Sequence, residues 1–135
     1  SNDETLSAIA KKAIKEVSYH KRFSGDWIKR LGDGTKESQA KMQEAIDALW
    51  PYTQELFEMN AFEKEALENQ VGVNLPELKE AYDEQVGQVL QEATLKIPEN
   101  PYFHKGGKEG IHTEHMGYLL SDLQYMQRTY PNMNW

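Results

Sequence analysis

The sequence predicts an all-α fold, folded as a helical bundle, and three observations support this class. Apolar residues recur at three- and four-residue steps, the spacing that keeps side chains on one face of a helix. No stretch shows the two-residue alternation of a β-strand. Residues typical of helix ends separate the periodic stretches. A length of 135 residues then predicts a single helical domain over residues 1–135.

The first helix is predicted over residues 5–31. Asn2 or Asp3 would cap it, and the glycines of Gly32-Asp33-Gly34 would end it with a left-handed residue. Its predicted inward face, called here the apolar stripe, consists of Leu6, Ile9, Ala10, Ala13, Val17, His20, Ser24, Trp27 and Leu31.

Thr35 is predicted to cap a second helix. Pro51 lacks the N–H that would bond to Asp47 and crowds the preceding turn, so we expect a kink there. Asn60, with Glu63 as its reciprocal capping residue, would begin a short third helix that ends near residues 71–72. The predicted inward residues of the second helix are Met42, Ile46, Leu49, Thr53, Leu56 and Phe57.

A fourth helix is predicted to start at residues 74–77, with Pro76 near the first helical position. Residues 96–110 hold two prolines and three glycines and predict an irregular linker. A last helix would cover residues 113–129 and end before Pro131. The predicted inward residues of these two helices are Leu78, Tyr82, Val86, Val89, Leu90, Ala93, Met116, Leu119, Leu120, Leu123 and Met126.

Composition limits the classes of partner and compartment. A net charge of −7 argues against nucleic acid and against an anionic membrane surface, because both attract basic proteins. The absence of cysteine excludes disulfides, thiolate metal sites and thiol nucleophiles, and it fits a reducing cytoplasm. No apolar run has the length of a membrane span, and the N-terminus lacks a signal-peptide core. We therefore expect a cytoplasmic protein without a membrane partner.

Two pairs of polar residues are candidates for metal binding. Di-iron bundles place a glutamate and a histidine three residues apart on one helix, but the third residue after Glu16 is Tyr19, and His20 follows one position later. His112 and His115 share a predicted helix face, without an identifiable third ligand. We interpret all four as polar core or interface residues, with no metal, cofactor or catalytic group held by this chain.

The linker segment at residues 105–110 contains two lysines and three glycines. Exposed amides and lysines ahead of a helix could cradle an anion, although the spacing is not that of a phosphate-binding loop. A loop that docks onto a partner and a plain connector are the other two interpretations. No serine lies in a strand-to-helix elbow, so nucleophilic catalysis is not indicated.

Several blocks of sequence occur in a characteristic order: Ala13-Ile14-Lys15-Glu16 with Tyr19-His20, Arg30-Leu31-Gly32-Asp33-Gly34-Thr35, Leu49-Trp50, Glu92-Ala93-Thr94-Leu95, Gly106-Gly107-Lys108 with Gly110, His112-Thr113-Glu114-His115, and Leu123-Gln124-Tyr125 with Gln127-Arg128. Together these blocks resemble the non-catalytic (PaaC-type) structural subunits of bacterial phenylacetyl-CoA epoxidases, the phenylacetate ring-1,2 monooxygenases. Pro51 departs from the pattern, in which a basic residue is expected after the tryptophan.

The resemblance implies the C-terminal half of a ferritin-like subunit with an eroded metal site, which supports a related catalytic subunit. That partner would carry the di-iron centre and bind the coenzyme A thioester. Without the other half, the apolar stripe would be exposed, so we expect self-association through the first helix. The predicted partner contacts are Lys21, Arg22, Lys105, Lys108 and Trp135, and the basic residues are also candidates for contact with the coenzyme A phosphates.

Two alternatives stay open. The chain could belong to a di-iron oxygenase subunit with its own metal site, whose other ligands lie in the missing half. It could also be a generic helical interaction module that is unrelated to oxygenases.

Overall fold

The computed structural model describes residues 1–99 and 101–134, so the predicted contact at Trp135 lies outside the described residues. No strand occurs within this part of the chain, and the predicted all-α class is confirmed. The chain divides into two compact units, Ser1–His104 and Lys105–Trp135. The α-helices are α1 (Glu4–Gly32), α2 (Lys36–Leu49), α3 (Ala61–Glu68), α4 (Lys79–Glu92), α5 (His115–Leu123) and α6 (Tyr125–Thr129). None of the described helices is long and apolar enough to cross a membrane.

The predicted extent of α1 and its cap at Asp3 are confirmed. The Asp3 carboxylate accepts a hydrogen bond from the Leu6 N–H at 2.7 Å. The predicted left-handed end is wrong, because the capping residue Asp33 has a φ of −94° and neither neighbouring glycine has a positive φ. Gly34 is needed for space and not for its conformation, because a Cβ there would lie 2.7 Å from the carbonyl oxygen of Arg30.

Helix α2 begins as predicted and ends differently. Thr35 and Ser38 form a reciprocal capping box, with the Ser38 N–H donating to Thr35 Oγ1 at 3.1 Å. The predicted interruption at Pro51 is confirmed, but the α-helix ends at Leu49 and is followed by two 3-10 turns, Trp50–Tyr52 and Gln54–Phe57, in place of a kinked continuation. Pro51 is the second residue of the first of these turns, and the opening residues of a helical turn need no N–H donor. Leu49 and Leu56 are exposed, not inward.

The start of α3 is confirmed, since Asn60 and Glu63 cap it reciprocally. Before α4, Pro76 starts a 3-10 turn, Pro76–Leu78, that runs into the α-helix. Leu78 is therefore displaced from the helical face it was assigned to, and it is exposed rather than inward.

The core lies where α1, α2 and the C-terminal end of α4 meet. Among the described residues, three apolar side chains are buried: Leu90, Ala93 and Leu95. The partly buried residues Ile28, Met42, Ile46, Trp50 and Val86 pack against them. This small cluster confirms the inward prediction for Met42, Ile46, Val86, Leu90 and Ala93.

A Schellman motif ends α4 and fixes the chain that follows. The Leu95 N–H donates to the Leu90 carbonyl at 2.9 Å, and the Thr94 N–H donates to the Gln91 carbonyl at 3.1 Å. Thr94 has a φ of 58°, which is unfavourable for a β-branched residue. The Gln39 amide donates to Thr94 Oγ1 at 2.6 Å, so α2 holds Thr94 in this conformation.

The second unit contains α5 and α6 in place of the single predicted helix. The break falls at Gln124, whose N–H still donates to Leu120 at 3.0 Å. Leu119, Leu120, Leu123 and Met126 are exposed, so their inward prediction is wrong. Within residues 105–134 the described elements are these two helices and one 3-10 turn, which leaves their apolar face without a covering element from the same unit.

Candidate functional site

Glu16 and His20 are in contact on an exposed face of α1. Glu16 Oε1 lies 3.2 Å from His20 Nε2, and the side chains are 74% and 64% exposed. The contact follows from their four-residue spacing on one helix. An exposed pair of this kind contributes little to stability, on the order of 0–1 kcal/mol. The pair is a surface feature of this chain and not a polar group inside its core.

The predicted common helix face for His112 and His115 is wrong. His115 is the first residue of α5, whereas His112 precedes the helix, and both are exposed. Gly110, with a φ of 86°, is followed by an irregular segment that includes His112. Within that segment only Glu114, directly before α5, lies in a turn.

The residues present do not fit a di-iron centre. Such a centre uses roughly six carboxylate and histidine ligands from four helices. Within residues 1–99 and 101–134, no group of three or more histidine, aspartate or glutamate side chains is arranged to hold a metal ion. Glu16 and His20 form a pair, without a third ligand among the described residues.

Of the two predicted basic contacts on α1, one faces the protein and one faces solvent. Lys21 Nζ donates to Gln85 Oε1 on α4. The guanidinium of Arg22 lies 6.0 Å from the centre of the Tyr19 ring. Both roles in partner binding stay predictions, but only Arg22 lies beside an exposed aromatic surface.

That surface is a row of three aromatic side chains, Tyr19, Phe23 and Trp27, which we call the aromatic ladder. The ring centres of Tyr19 and Phe23 are 5.9 Å apart, and those of Phe23 and Trp27 are 6.3 Å apart. Their side chains remain 49%, 51% and 45% exposed. Arg30 lies 5.7 Å from the Trp27 ring. The four-residue spacing of these rings is present in the sequence, but only Trp27 was predicted to share an apolar face, as part of the apolar stripe.

The glycine-rich segment forms a compact turn. Gly106 and Gly110 have φ values of 94° and 86°, and a 3-10 turn, Gly107–Glu109, lies between them. The N–H groups of Glu109 and Ile111 both donate to the Gly106 carbonyl, at 3.0 and 2.8 Å. These two amides are used within the turn, which weighs against the anion cradle. Contacts of Lys105 and Lys108 with a partner or with phosphates stay predictions.

Two titratable groups on α4 are perturbed by their neighbours. The Lys29 ammonium, 2.5 Å from the Glu92 carboxylate, hydrogen bonds to it and lowers its pKa, with a smaller contribution from the Gln88 amide. Burial raises the pKa of Tyr82, and the negative charge of Asp83 adds to that effect. Tyr82 lines an apolar crevice of about 270 Å³ between α1 and α4, which Gly25 and Val89 also line.

Comparison with known proteins places these features in context. A family model described as "Phenylacetic acid catabolic protein" matches residues 1–135. The chain is also 44% identical, over 135 residues, to a protein from Escherichia coli (strain K12) that is named as one of the subunits of 1,2-phenylacetyl-CoA epoxidase. The match covers all of this chain and 54% of that relative. The chain thus spans about half the length of the curated relative it matches.

Proposed function

The chain belongs to the phenylacetic acid catabolic protein family, and we propose that it serves as a non-catalytic, structural subunit of a multicomponent di-iron monooxygenase. The assembled enzyme would epoxidise the ring of phenylacetyl-CoA in aerobic phenylacetate degradation. The observation that carries this proposal is 44% identity, over all 135 residues, to a protein named as an epoxidase subunit. The resemblance to PaaC-type subunits is confirmed, and the all-α class agrees with the ferritin-like helical fold of the family.

The non-catalytic role is supported by the side chains themselves. The described residues gather no set of three metal ligands, and the Glu16–His20 pair is exposed on a helix surface. The di-iron centre would therefore belong to a catalytic ferritin-like partner subunit. In that arrangement this chain contributes surfaces that hold the partner, and no residue of it touches the reacting atoms.

Self-association through α1 is a second part of the proposal. Leu6, Val17 and Leu31, members of the apolar stripe, are 49%, 60% and 37% exposed. Contiguous exposed apolar surface favours association in water. The basic residues of α1 and of residues 105–108 stay candidates for contact with the coenzyme A phosphates, supported by charge alone.

The experiment is co-purification of the intact protein with the catalytic epoxidase subunit, followed by iron analysis of each separated subunit. We expect a stable complex with iron in the catalytic subunit only. A full di-iron complement in the isolated intact protein would overturn the structural role. Failure of the two proteins to co-purify would overturn the partner and favour a helical interaction module of another kind.

The alternative of a di-iron site in this subunit is favoured by one observation, the contact between Glu16 and His20. If these residues were ligands, Glu16→Ala with His20→Ala would remove iron from the intact protein. Glu37→Ala is the matched control, because Glu37 is an equally exposed helical carboxylate that pairs with Lys41. We expect neither variant to change the iron content.

A further inference from the structure

The structure points to the partner's docking element: we propose that the aromatic ladder of Tyr19, Phe23 and Trp27 binds an acidic amphipathic helix of the catalytic partner subunit. This inference rests on the proposed function and deepens it, since it names the surface and the chemistry of what binds there. Three arguments support it: the direction in which the ladder faces, its shape, and the charge around it.

The ladder faces away from α4, one of the helices that pack on α1. Gly25 faces α4, because a Cβ there would lie 3.9 Å from Val89 Cγ2. Phe23 precedes Gly25 by two residues, and two residues turn an α-helix by about 200°. Phe23 therefore points to the opposite side, into solvent, and it is 51% exposed. The ladder shares Trp27 with the apolar stripe, but Tyr19 and Phe23 lie outside the stripe, and Val17 lies about 120° around the helix from Phe23.

The shape of the ladder suits another helix. Four residues of an α-helix rise about 6 Å, so the three rings cover about 12 Å along α1. Tyr19 and Phe23 stack with an angle of 26° between their planes, and Trp27 meets Phe23 at 65°, so the row presents ring faces and edges together. A second helix that lies along such a row buries apolar side chains from two of its turns. Large half-exposed aromatic residues are also the side chains that contribute most to binding at protein interfaces.

The charge around the ladder selects an acidic partner. Helix α1 carries seven lysines and arginines against three carboxylates, although the whole chain has a net charge of −7. Arg22 and Arg30 lie beside the Tyr19 and Trp27 rings, at 6.0 and 5.7 Å from the ring centres. Carboxylates near both ends of the incoming apolar segment would meet these cations.

A second copy of this chain fits the ladder poorly. Two α1 helices that met at the ladder would bring Arg22 and Arg30 of both copies together, which opposes association at this face. The acidic helix α4 has the opposite charge, but its solvent side carries Glu80, Asp83, Glu84 and Gln88 and offers no apolar row. The partner is therefore a different polypeptide, whose docking helix combines apolar and acidic residues.

The test measures binding of the intact protein to the purified catalytic subunit as a function of salt. We expect Trp27→Ala to weaken binding about tenfold or more, as loss of a central interface aromatic does. Arg22→Glu with Arg30→Glu should weaken it further and flatten its salt dependence. Lys36→Glu with Lys41→Glu is the control, because it changes the net charge equally on the exposed side of α2. Equal affinities for the ladder variants and the control would overturn the inference while leaving the proposed function intact.

A photo-crosslinking residue at position 23 of the intact protein identifies the occupant. A crosslink to an acidic amphipathic helix of the catalytic subunit supports the inference. A crosslink to a second copy of this chain, or to another part of the same polypeptide, overturns it. If the wild-type protein does not bind the catalytic subunit at all, the proposed function fails. In that case a crosslink to an acidic amphipathic helix of another identified protein would show that the ladder still binds a helix of the predicted kind.

Discussion

Gly32 and Ala93 are packed so closely that no side chain fits between them. A Cβ added to Gly32 would overlap the carbonyl oxygen of Ala93 and lie 2.9 Å from the Ala93 Cβ. The same Cβ would lie 2.9 Å from Leu95 Cδ1. The last turn of α1 and the C-terminal end of α4 can therefore touch only because residue 32 is glycine.

Gly32→Ala is expected to lower the free energy of unfolding by about 1–3 kcal/mol, because overpacking forces backbone to move. Urea denaturation followed by circular dichroism measures the change. Gly87→Ala is the matched control, since Gly87 lies within α4 and no atom lies within 4 Å of its added Cβ. The control should raise stability by about 0.5–1 kcal/mol through helix propensity alone. Equal effects in both variants would contradict the close contact.

Gln43→Leu is expected to destabilise the segment after α4. The Gln43 amide donates to the Lys96 carbonyl at 2.9 Å and accepts from the Lys96 N–H at 2.9 Å. Losing both bonds should cost about 1–2 kcal/mol, and the Lys96 amide should exchange its hydrogen faster. Gln88→Leu, which removes an exposed contact with Glu92 within α4, should cost less than about 0.5 kcal/mol. An unchanged hydrogen-exchange rate at the Lys96 amide in the Gln43 variant would contradict the role of these two hydrogen bonds.

The Lys29–Glu92 pair predicts a loss of stability in acid. The pKa of Glu92 is lower in the folded protein than its ordinary value of 4.5, so the folded state binds this proton more weakly than the unfolded state. Its contribution is present above the unfolded-state pKa and disappears as pH falls through the folded-state pKa. Thermal melts should show a smaller drop in Tm between neutral and acidic pH for Glu92→Gln than for wild type. Glu84→Gln, a neighbouring exposed glutamate on α4, should behave as wild type does.

Tyr82 predicts the opposite trend in alkali. Burial raises its pKa above the ordinary value of 10.0, so the folded state holds the phenolic proton more tightly. The resulting stability is complete below the unfolded-state pKa and is lost as pH rises through the folded-state value. Ultraviolet titration should show a tyrosine step above the ordinary value of 10.0, and Tyr82→Phe should remove that late step. A late step that survives in this variant would assign it to another tyrosine.

Self-association of the 135-residue chain should strengthen with salt. Burial of the apolar stripe drives it, whereas the cations of α1 repel each other, and salt screens that repulsion. Sedimentation should therefore show more dimer at high salt, and Leu6→Ser with Val17→Ser should show less. Leu49→Ser removes a similarly exposed leucine from α2 and is the control. A monomer at micromolar concentration under all conditions would contradict the association.

Local signals in the sequence predicted the starts of the helices well. Asp3, Thr35 and Asn60 cap α1, α2 and α3 in the structure, because a cap depends on a side chain and an amide three residues away. Where helices end depends on longer-range contacts. The helix α1 includes Gly32, which packs against Ala93, and at the end of α4 Thr94 takes the left-handed position while Gln39 holds its hydroxyl.

The site was harder to predict than the fold. Sequence periodicity identifies the apolar face of a helix, but it does not identify which element, if any, packs against that face. Val17 and Leu123 have core-like spacing and are exposed. The Glu16–His20 contact followed from spacing alone, whereas the aromatic ladder depends on which side of α1 meets α4. That information comes from the packing of Gly25 against Val89, and no local pattern carries it.

Among the described residues, the buried apolar core of the 135-residue chain consists of Leu90, Ala93 and Leu95. A core of this size contributes little to the free energy of unfolding, so this chain alone should unfold at a low denaturant concentration. A polypeptide that covers its open faces adds buried apolar area, and we therefore expect the unfolding midpoint to rise with the concentration of that polypeptide.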